Sequence, residues 1–389
     1  VQTQQTTSLY IHWPFCKSKC PYCDFNSHVG GGINEADWLQ AFLNELEYFS
    51  PNNYPSMQGK KIASIFFGGG TPSLMPPKIT EALIKKAEQN FGFIENVEIT
   101  LEANPTSVEA SKFAAFKAAG VNRISIGVQA LNAADLKFLG REHSAPEALA
   151  AIELAAKHFD NYNFDLIYAR PNQNVEQWQK ELQQALQMGA KHMSLYQLTI
   201  EKGTKFYSSF NAKEFAIPNS DEAAELYEAT AEIMNAAKMP AYEVSNYALA
   251  GFECKHNLNY WNYGEYIGIG AGAHGRVVNN NSRVATMMWH APDKWLKTAL
   301  EKGVGLQTNI KLSDEEVLEE FLIMCLRLFN GVDVNRFEEV FGKSYTEVLN
   351  IKNLNYLLED KILELTKTHL KATKDGLMLL QSIIPKLLP

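Results

Sequence analysis

The 389-residue chain has no apolar run approaching the eighteen or so residues that a membrane-spanning helix needs. Its first residues, Val1-Gln-Thr-Gln-Gln-Thr-Thr7, lack the basic-then-apolar layout of a secretory leader, which predicts a cytoplasmic location. A basic surplus is missing too. With 36 Lys and Arg against 44 Asp and Glu, the net charge is −8, so no nucleic-acid partner is expected. Cysteine is scarce: the five residues are odd in number and do not suit a secreted disulfide framework, but fit a reducing compartment. Internal repeats and low-complexity tracts are absent. What the chain does have is 46% hydrophobic residues, enough to bury the core of one large domain and a smaller one.

Three of the cysteines, Cys16, Cys20 and Cys23, fall in one loop, Trp13-Pro-Phe-Cys-Lys-Ser-Lys-Cys-Pro-Tyr-Cys-Asp-Phe25. A cubane 4Fe–4S cluster normally takes four protein thiolates, so three in one loop leave an iron open to a small molecule. A Cys3His or Cys3Asp zinc knot, completed by His12, His28 or Asp24, satisfies the same cysteine pattern. The count alone leaves both open.

Around this loop runs a strand–helix rhythm. Short, mostly apolar stretches at 8–13, 62–68, 97–102, 123–129, 162–168 and 192–199 read as strands. Between them, 36–49, 79–91, 107–119, 146–159 and 175–188 carry apolar residues at helical spacing. Alternation of this kind predicts an α/β fold with a parallel sheet, an incomplete (β/α)6 barrel whose chemistry lies at the carboxyl ends of the strands. Gly68-Gly-Gly-Thr-Pro-Ser73, Glu102 with Asn104, Gln129 and Asp165 fall at or near those ends. Consecutive glycines let a backbone approach a ligand closely and leave amides and carbonyls free.

The Cys-x-x-x-Cys-x-x-Cys loop after a first strand, followed one unit later by the glycine run, resembles the radical S-adenosylmethionine (SAM) superfamily. That resemblance implies that Cys16, Cys20 and Cys23 hold a 4Fe–4S cluster whose open iron is chelated by the SAM methionine group. One electron can then cleave a C–S bond of SAM to give a 5′-deoxyadenosyl radical. It further implies that Tyr22 lies beside the adenine and that Gly68, Gly69 and Gly70 meet the methionine group. Tyr10, Glu102, Gln129, Arg141 and Asp165 resemble the SAM ligands of the coproporphyrinogen oxidase branch. Arg141 has a planar fork suited to a carboxylate, and the other polar side chains can bridge ribose hydroxyls and an ammonium. Where relatives read Gly-Leu-Pro after the fifth strand, this chain has Ala169-Arg170-Pro171, and a solvated Arg170 on a loop is expected.

A second constellation, Cys254-Lys-His-Asn-Leu-Asn-Tyr-Trp261, puts His256 and Tyr260 one helical turn apart with Trp261 beside them. An imidazole flanked by flat aromatic surface can ligate the iron of a heme or serve as a hydrogen-bonded packing residue, and these residues alone leave both open, with Cys254 an alternative thiolate. The same His-Asn-x-x-Tyr-Trp pattern, with Cys23-Asp-Phe-Asn-Ser-His28 and Tyr266-Ile-Gly-Ile-Gly-Ala-Gly-Ala-His274, resembles the radical SAM heme chaperones. That family implies binding of one heme through His256, beside Tyr260 and Trp261, and its delivery to respiratory or other heme proteins. Such delivery implies peripheral membrane contact, although no amphipathic anchor is evident.

The alternative is an oxygen-independent coproporphyrinogen III oxidase, whose family resembles this chain across the barrel. Those oxidases carry a further cysteine two residues after the third ligand, where Phe25 stands, and a longer segment ahead of the cluster loop. No residue is assigned a catalytic role. Residues 1–290 are expected to form the barrel with the heme motif at its end, 291–312 a linker, with a helix within 292–305, and 313–389 a small, mainly helical, winged-helix-like cap. Within that cap, 314–329 and 344–358 read as helices and 365–380 as a strand pair.

Overall fold

The computed structural model describes residues 6–30, 32–279 and 282–389; residues 1–5, on which the leader reading rests, lie outside it. Its frame is an eleven-stranded sheet. In chain order the strands are β1 (Thr6–Trp13), β2 (Lys61–Gly69), β3 (Phe93–Ala103), β4 (Arg123–Gln129), β5 (Asn161–Tyr168) and β6 (His192–Gln197). Then follow β7 (Asn246–Ala248), β8 (Tyr266–Ile269), β9 (His274–Asn279), β10 (Ser282–Met288) and β11 (Leu306–Lys311). The spatial order is β11-β10-β9-β8-β1-β2-β3-β4-β5-β6-β7. Strands β1 to β6 are parallel neighbours, as the rhythm predicts, and β8 adds a seventh parallel strand on the far side of β1. Strands β7 and β9 to β11 run antiparallel at the two ends and leave the barrel open.

Alternation along the parallel strands sorts the two faces. Leu9, Ile11, Ile65, Phe67, Ile124, Ile126, Phe164, Leu166, Met193 and Leu195 point to the helix side and are buried in one core. Ser8, Ser64, Glu98, Thr100, Arg123, Ser125, Asn163, His192 and Ser194 alternate with them and are also buried, so the barrel interior is polar. Such a lining persists because its members bond to one another: Asn163 Nδ2 donates to Ser125 Oγ at 2.8 Å, and Ser64 Oγ donates to Ser8 Oγ at 2.8 Å.

Helices α1 (Glu35–Tyr48), α2 (Pro77–Phe91), α3 (Ala133–Phe138), α4 (Ala145–His158) and α5 (Val175–Leu186) lie on the outer face. Their starts are chemically marked. Asn34 accepts from the Ala36 and Asp37 amides, and Ser144 and Glu147 close a capping box on α4. The helix expected over 107–119 is broken into Ser107–Ala110 and Phe113–Ala118.

The stretch 291–312, expected as a linker, holds the expected helix, α7 (Pro292–Lys302), but also edge strand β11, which continues the main sheet. Glu45 of α1 fixes it there. Its buried carboxylate accepts from Gly270 N and Gly305 N at 2.8 Å and from Trp295 Nε1 at 2.9 Å. These donors oppose burial, which nonetheless pushes the Glu45 pKa up to about 7.

The C-terminal part has its own core around Phe321, Leu322, Phe337, Leu354 and Ile383. Its first helix is shorter than expected, Asp314–Cys325, and 344–358 is divided into Tyr345–Val348 and the start of Ile351–Glu359, with Asn350 capping the second. A small antiparallel sheet joins Val332–Asp333, Leu363–Leu365 and His369–Ala372, so only the first part of 365–380 is strand and the rest turns helical. The winged-helix-like description fits this mixture. Among the described residues no helix is long and apolar enough to cross a membrane.

Candidate functional site

The cysteine loop leaves β1 at the carboxyl mouth of the barrel. Phe15–Cys16 pairs in parallel with His28–Val29, His28 N donates to Pro14 O at 2.7 Å, and Phe206 N donates to Pro21 O at 2.8 Å. These bonds pin both ends and the middle of the loop. Cys16 is buried and Cys20 and Cys23 are half-buried, and desolvation pushes the Cys16 and Cys23 thiols up. Arg141 Nη1 donates to Cys20 Sγ at 3.3 Å. Among the described residues no three His, Cys, Asp or Glu side chains are already drawn into a closed metal site.

The glycine loop lies against this backbone. Gly69 adopts φ +115°, and a Cβ there would stand 2.7 Å from Trp13 O; one on Gly70 would stand 2.6 Å from Phe15 O. Gly70 N donates to Trp13 O at 2.7 Å. Only glycine permits that approach, so the run serves the packing of the two loops as well as any ligand.

Beyond the glycines the expected polar residues converge. Arg141 Nη2 donates to Gly127 O at 2.7 Å and to Asn104 Oδ1 at 2.5 Å, bridging the ends of β3 and β4. Gln129 is held at φ +73°, and its Oε1, like Arg141 Nε, is buried without a partner. Glu102 and Asp165 face each other from β3 and β5. Burial, reinforced by Asp165, lifts Glu102 to about 8 against the opposing Gly69 amide. Burial also lifts Asp165 to about 6, with Ser194, Arg123, Arg141 and Asn163 pulling the other way. Tyr22 packs on Phe206, ring centroids 6.3 Å apart. Unpartnered polar atoms, a glycine cradle and neighbouring thiols fit a cluster together with an amino-acid-bearing ligand.

The two histidines of the zinc alternative are hydrogen-bonded within the loop region. His12 has both nitrogens engaged, Nδ1 with Tyr10 Oη and Nε2 with Asn26 O, each at 2.9 Å, and His28 Nε2 meets Asn26 Oδ1 at 3.1 Å. Burial lowers the His12 pKa to about 4, so the ring is neutral.

His256 lies elsewhere than at the mouth. It is buried in the barrel interior on helix α6 (Lys255–Trp261), stacked on Phe66 with ring centroids 5.1 Å apart. Ser64 donates to Ser8, so Ser64 Oγ accepts from His256 Nδ1 at 2.8 Å, and Tyr260 Oη donates to His256 Nε2 at 2.8 Å. That assignment gives the neutral Nδ1–H tautomer, consistent with burial lowering its pKa to about 3. Trp261 Nε1 is buried without a partner, and the Arg327 guanidinium sits 4.7 Å over its ring. Cys254 donates to Glu98 at 3.4 Å, and burial pushes its pKa up to about 12, which keeps it a thiol.

Arg170 corrects an expectation. Instead of a solvated loop residue, its guanidinium is 2% exposed and forms a two-point pair with Glu181 of α5, with Asp135 of α3 at 3.1 Å. Glu181 also accepts from Leu131 N at 2.7 Å, so the cluster ties together the segments flanking Gln129 and Arg141. The preceding Ala169 takes φ +56°.

A radical SAM superfamily model matches residues 10–185, and a HemN C-terminal domain model matches residues 312–379. The heme chaperone HemW of Haemophilus influenzae is 38% identical over 91% of this chain and 92% of its own length. The chain belongs to the HemW family. A further relative, the mitochondrial radical S-adenosyl methionine domain-containing protein 1 of Danio rerio, is 36% identical over 98% of this chain and 86% of its own. Coproporphyrinogen III oxidase (HemN) from Escherichia coli, a radical SAM enzyme, superimposes with a TM-score of 0.80 at 20% identity. That match covers 98% of this chain and 90% of the other and shows a shared fold. Membership in a radical SAM family implies a 4Fe–4S cluster and SAM as cofactors, which the donor set described above fits.

Asn26 and Gly272, which sequence reasoning placed in motifs without a site role, and His290, which it did not reach, lie at the mouth. With Tyr10, Gly69, Glu102, Phe25 and His274 they border an open cavity of about 300 Å³. Their separation along the chain hides them, since residues 266–290 join the mouth only through the added strands β8 to β10.

Proposed function

We propose that this chain is a heme chaperone: it binds one heme and passes it to heme-requiring proteins, on a scaffold that holds a 4Fe–4S cluster and SAM. Similarity along nearly the whole chain to a relative named as a heme chaperone supports this reading. Phe25 at the position of the oxidases' additional cysteine agrees with it. Cys16, Cys20 and Cys23 would hold the cluster, and Gly68, Gly69, Gly70 and Arg141 the amino-acid end of SAM. Glu102, Gln129 and Asp165 would meet its ribose and ammonium, and Tyr10 and Tyr22 would flank it. The cluster and SAM together supply one-electron chemistry when bound. Glu102, lifted to about 8, is protonated near neutrality and offers a hydrogen-bond donor inside the site. Ligation of heme by His256 through Nε2 requires Tyr260 to withdraw, so the motif with Trp261 acts in this arrangement as a closed floor.

The cytoplasm, with peripheral contact at membrane-bound recipients, is the proposed setting. The deciding experiment titrates anaerobically reconstituted protein with heme and assays the same preparation for coproporphyrinogen III turnover. Saturable binding of one heme per chain without turnover is expected. Appreciable turnover would assign the oxidase, and absence of saturable binding would remove the chaperone.

A further inference from the structure

The cavity at the barrel mouth has two chemically distinct walls. Tyr10, Gly69 and Glu102 form the inner one, beside the proposed SAM position. The outer one carries Phe25, His274 and His290. His274 opens β9 and His290 follows β10, and His274 stands opposite Met287 in the antiparallel register, so one hairpin fixes both imidazoles. Their ring centroids are 6.2 Å apart.

Both rings are exposed, and among the described residues neither has a hydrogen-bond partner on a ring nitrogen. The imidazoles deeper in the barrel differ. His12 and His256 have both nitrogens engaged, and His192 Nε2 is bonded to Tyr242 Oη. Uncommitted imidazole lone pairs at this cavity therefore belong to His274 and His290. Asn26 anchors the wall to the cysteine loop, since its Nδ2 donates to Ala271 O and His290 O, both at 3.0 Å. Phe25 is 59% exposed, which presents an aromatic face at the opening. Lys19 Nζ donates to Phe25 O at 3.2 Å, setting an ammonium on the same rim.

An accessible imidazole, a flat apolar face and a cation at the edge are the complement of an iron porphyrin with its carboxylate side chains. We propose that heme is taken up at this outer wall, with the His274–His290 pair supplying the axial imidazole and Phe25 covering part of the ring. The cavity is open to solvent, so the far edge of the porphyrin stays reachable by a recipient. This inference rests on the heme-chaperone reading and names the site through which it operates.

The test uses full-length reconstituted protein loaded with ferric heme, and the variants H274A, H290A and H274A/H290A. Binding titrations and low-temperature electron paramagnetic resonance of the heme are the measurements, with iron and sulfide content reporting an intact fold. The double variant is expected to bind heme at least tenfold more weakly and to lose the imidazole-ligated low-spin signal. Added free imidazole should restore that signal, which a merely structural role would not produce. Wild-type affinity and signal in the double variant would overturn the proposal. If the wild-type protein itself binds no heme, the chaperone reading fails first, and with it this site.

Discussion

Truncating Arg170 to alanine should strongly destabilise the chain although the residue lies on a loop. The guanidinium is 2% exposed and its partner Glu181 only 8%, so the variant leaves a carboxylate buried without its cation. Breaking a buried ion pair from one side typically costs about 3–5 kcal/mol. Two bonds to Glu181 survive, from Leu131 N at 2.7 Å and Gln173 Nε2 at 3.5 Å, which places the expectation near the lower end, about 3 kcal/mol. Urea unfolding followed by tryptophan fluorescence reports it well, because Trp178 lies buried on the same helix as Glu181. The double variant R170A/E181Q should recover much of the loss, since glutamine can still accept from Leu131 N without stranding a charge. SAM affinity should fall in R170A as well, because α3 loses the Asp135–Arg170 link and only the Leu131 N–Glu181 bond still ties the segment before Arg141 to α5. An R170A protein within about 1 kcal/mol of wild type and with unchanged SAM affinity would show that Arg170 is the dispensable solvated residue its loop position suggests.

Cys16→Ala, Cys20→Ala and Cys23→Ala should each abolish the brown cluster absorbance of reconstituted protein, and a variant retaining full iron and sulfide would count against that residue as a ligand. Gly70→Ala should sharply reduce cluster incorporation, because the added Cβ meets the Phe15 carbonyl at 2.6 Å; normal iron content would show that the two loops can separate at no cost. Burial raises the folded-state pKa of Glu45 from 4.5 to about 7, so its protonated form favours folding and its contribution is complete below pH 4.5. As pH rises toward 7 that contribution is lost, on the order of 3 kcal/mol at 1.36 per unit. The stability of wild type relative to Glu45→Gln should therefore decline across this window, and a pH-independent difference would refute the shift.

The six parallel strands, the cysteine loop and the convergence of Gly69, Glu102, Gln129, Arg141 and Asp165 were legible because each follows from local pattern. Apolar alternation marks a strand wherever it lies, and barrel topology carries every strand end to the same mouth. What escaped was set by contacts distant in sequence. Arg170 reads as a surface residue until Glu181 and Asp135 fold over it. His256 and Tyr260 were correctly placed on one helix, but periodicity does not say that Ser64, 192 positions earlier, takes the second nitrogen. The strands from 266 to 311 join the sheet by pairings distant from the strand–helix rhythm, and in the first of them Gly268 interrupts the apolar signal. Glu45 shows the same limit, since a lone acid in an amphipathic helix looks solvated until backbone amides from two remote turns surround it.

Tyr263 belongs by sequence to the large domain but packs into the smaller core beside Phe321, while Arg283 covers its other face at 3.9 Å and Glu320 accepts from its hydroxyl at 2.9 Å. Arg276 reaches the same Glu320 from β9 at 2.7 Å. The helical cap thus has one of its own core residues supplied by the barrel side. A truncated barrel ending before residue 313 would bare an aromatic ring and leave Arg276 without its carboxylate, so heating should unravel both parts in a single concerted step.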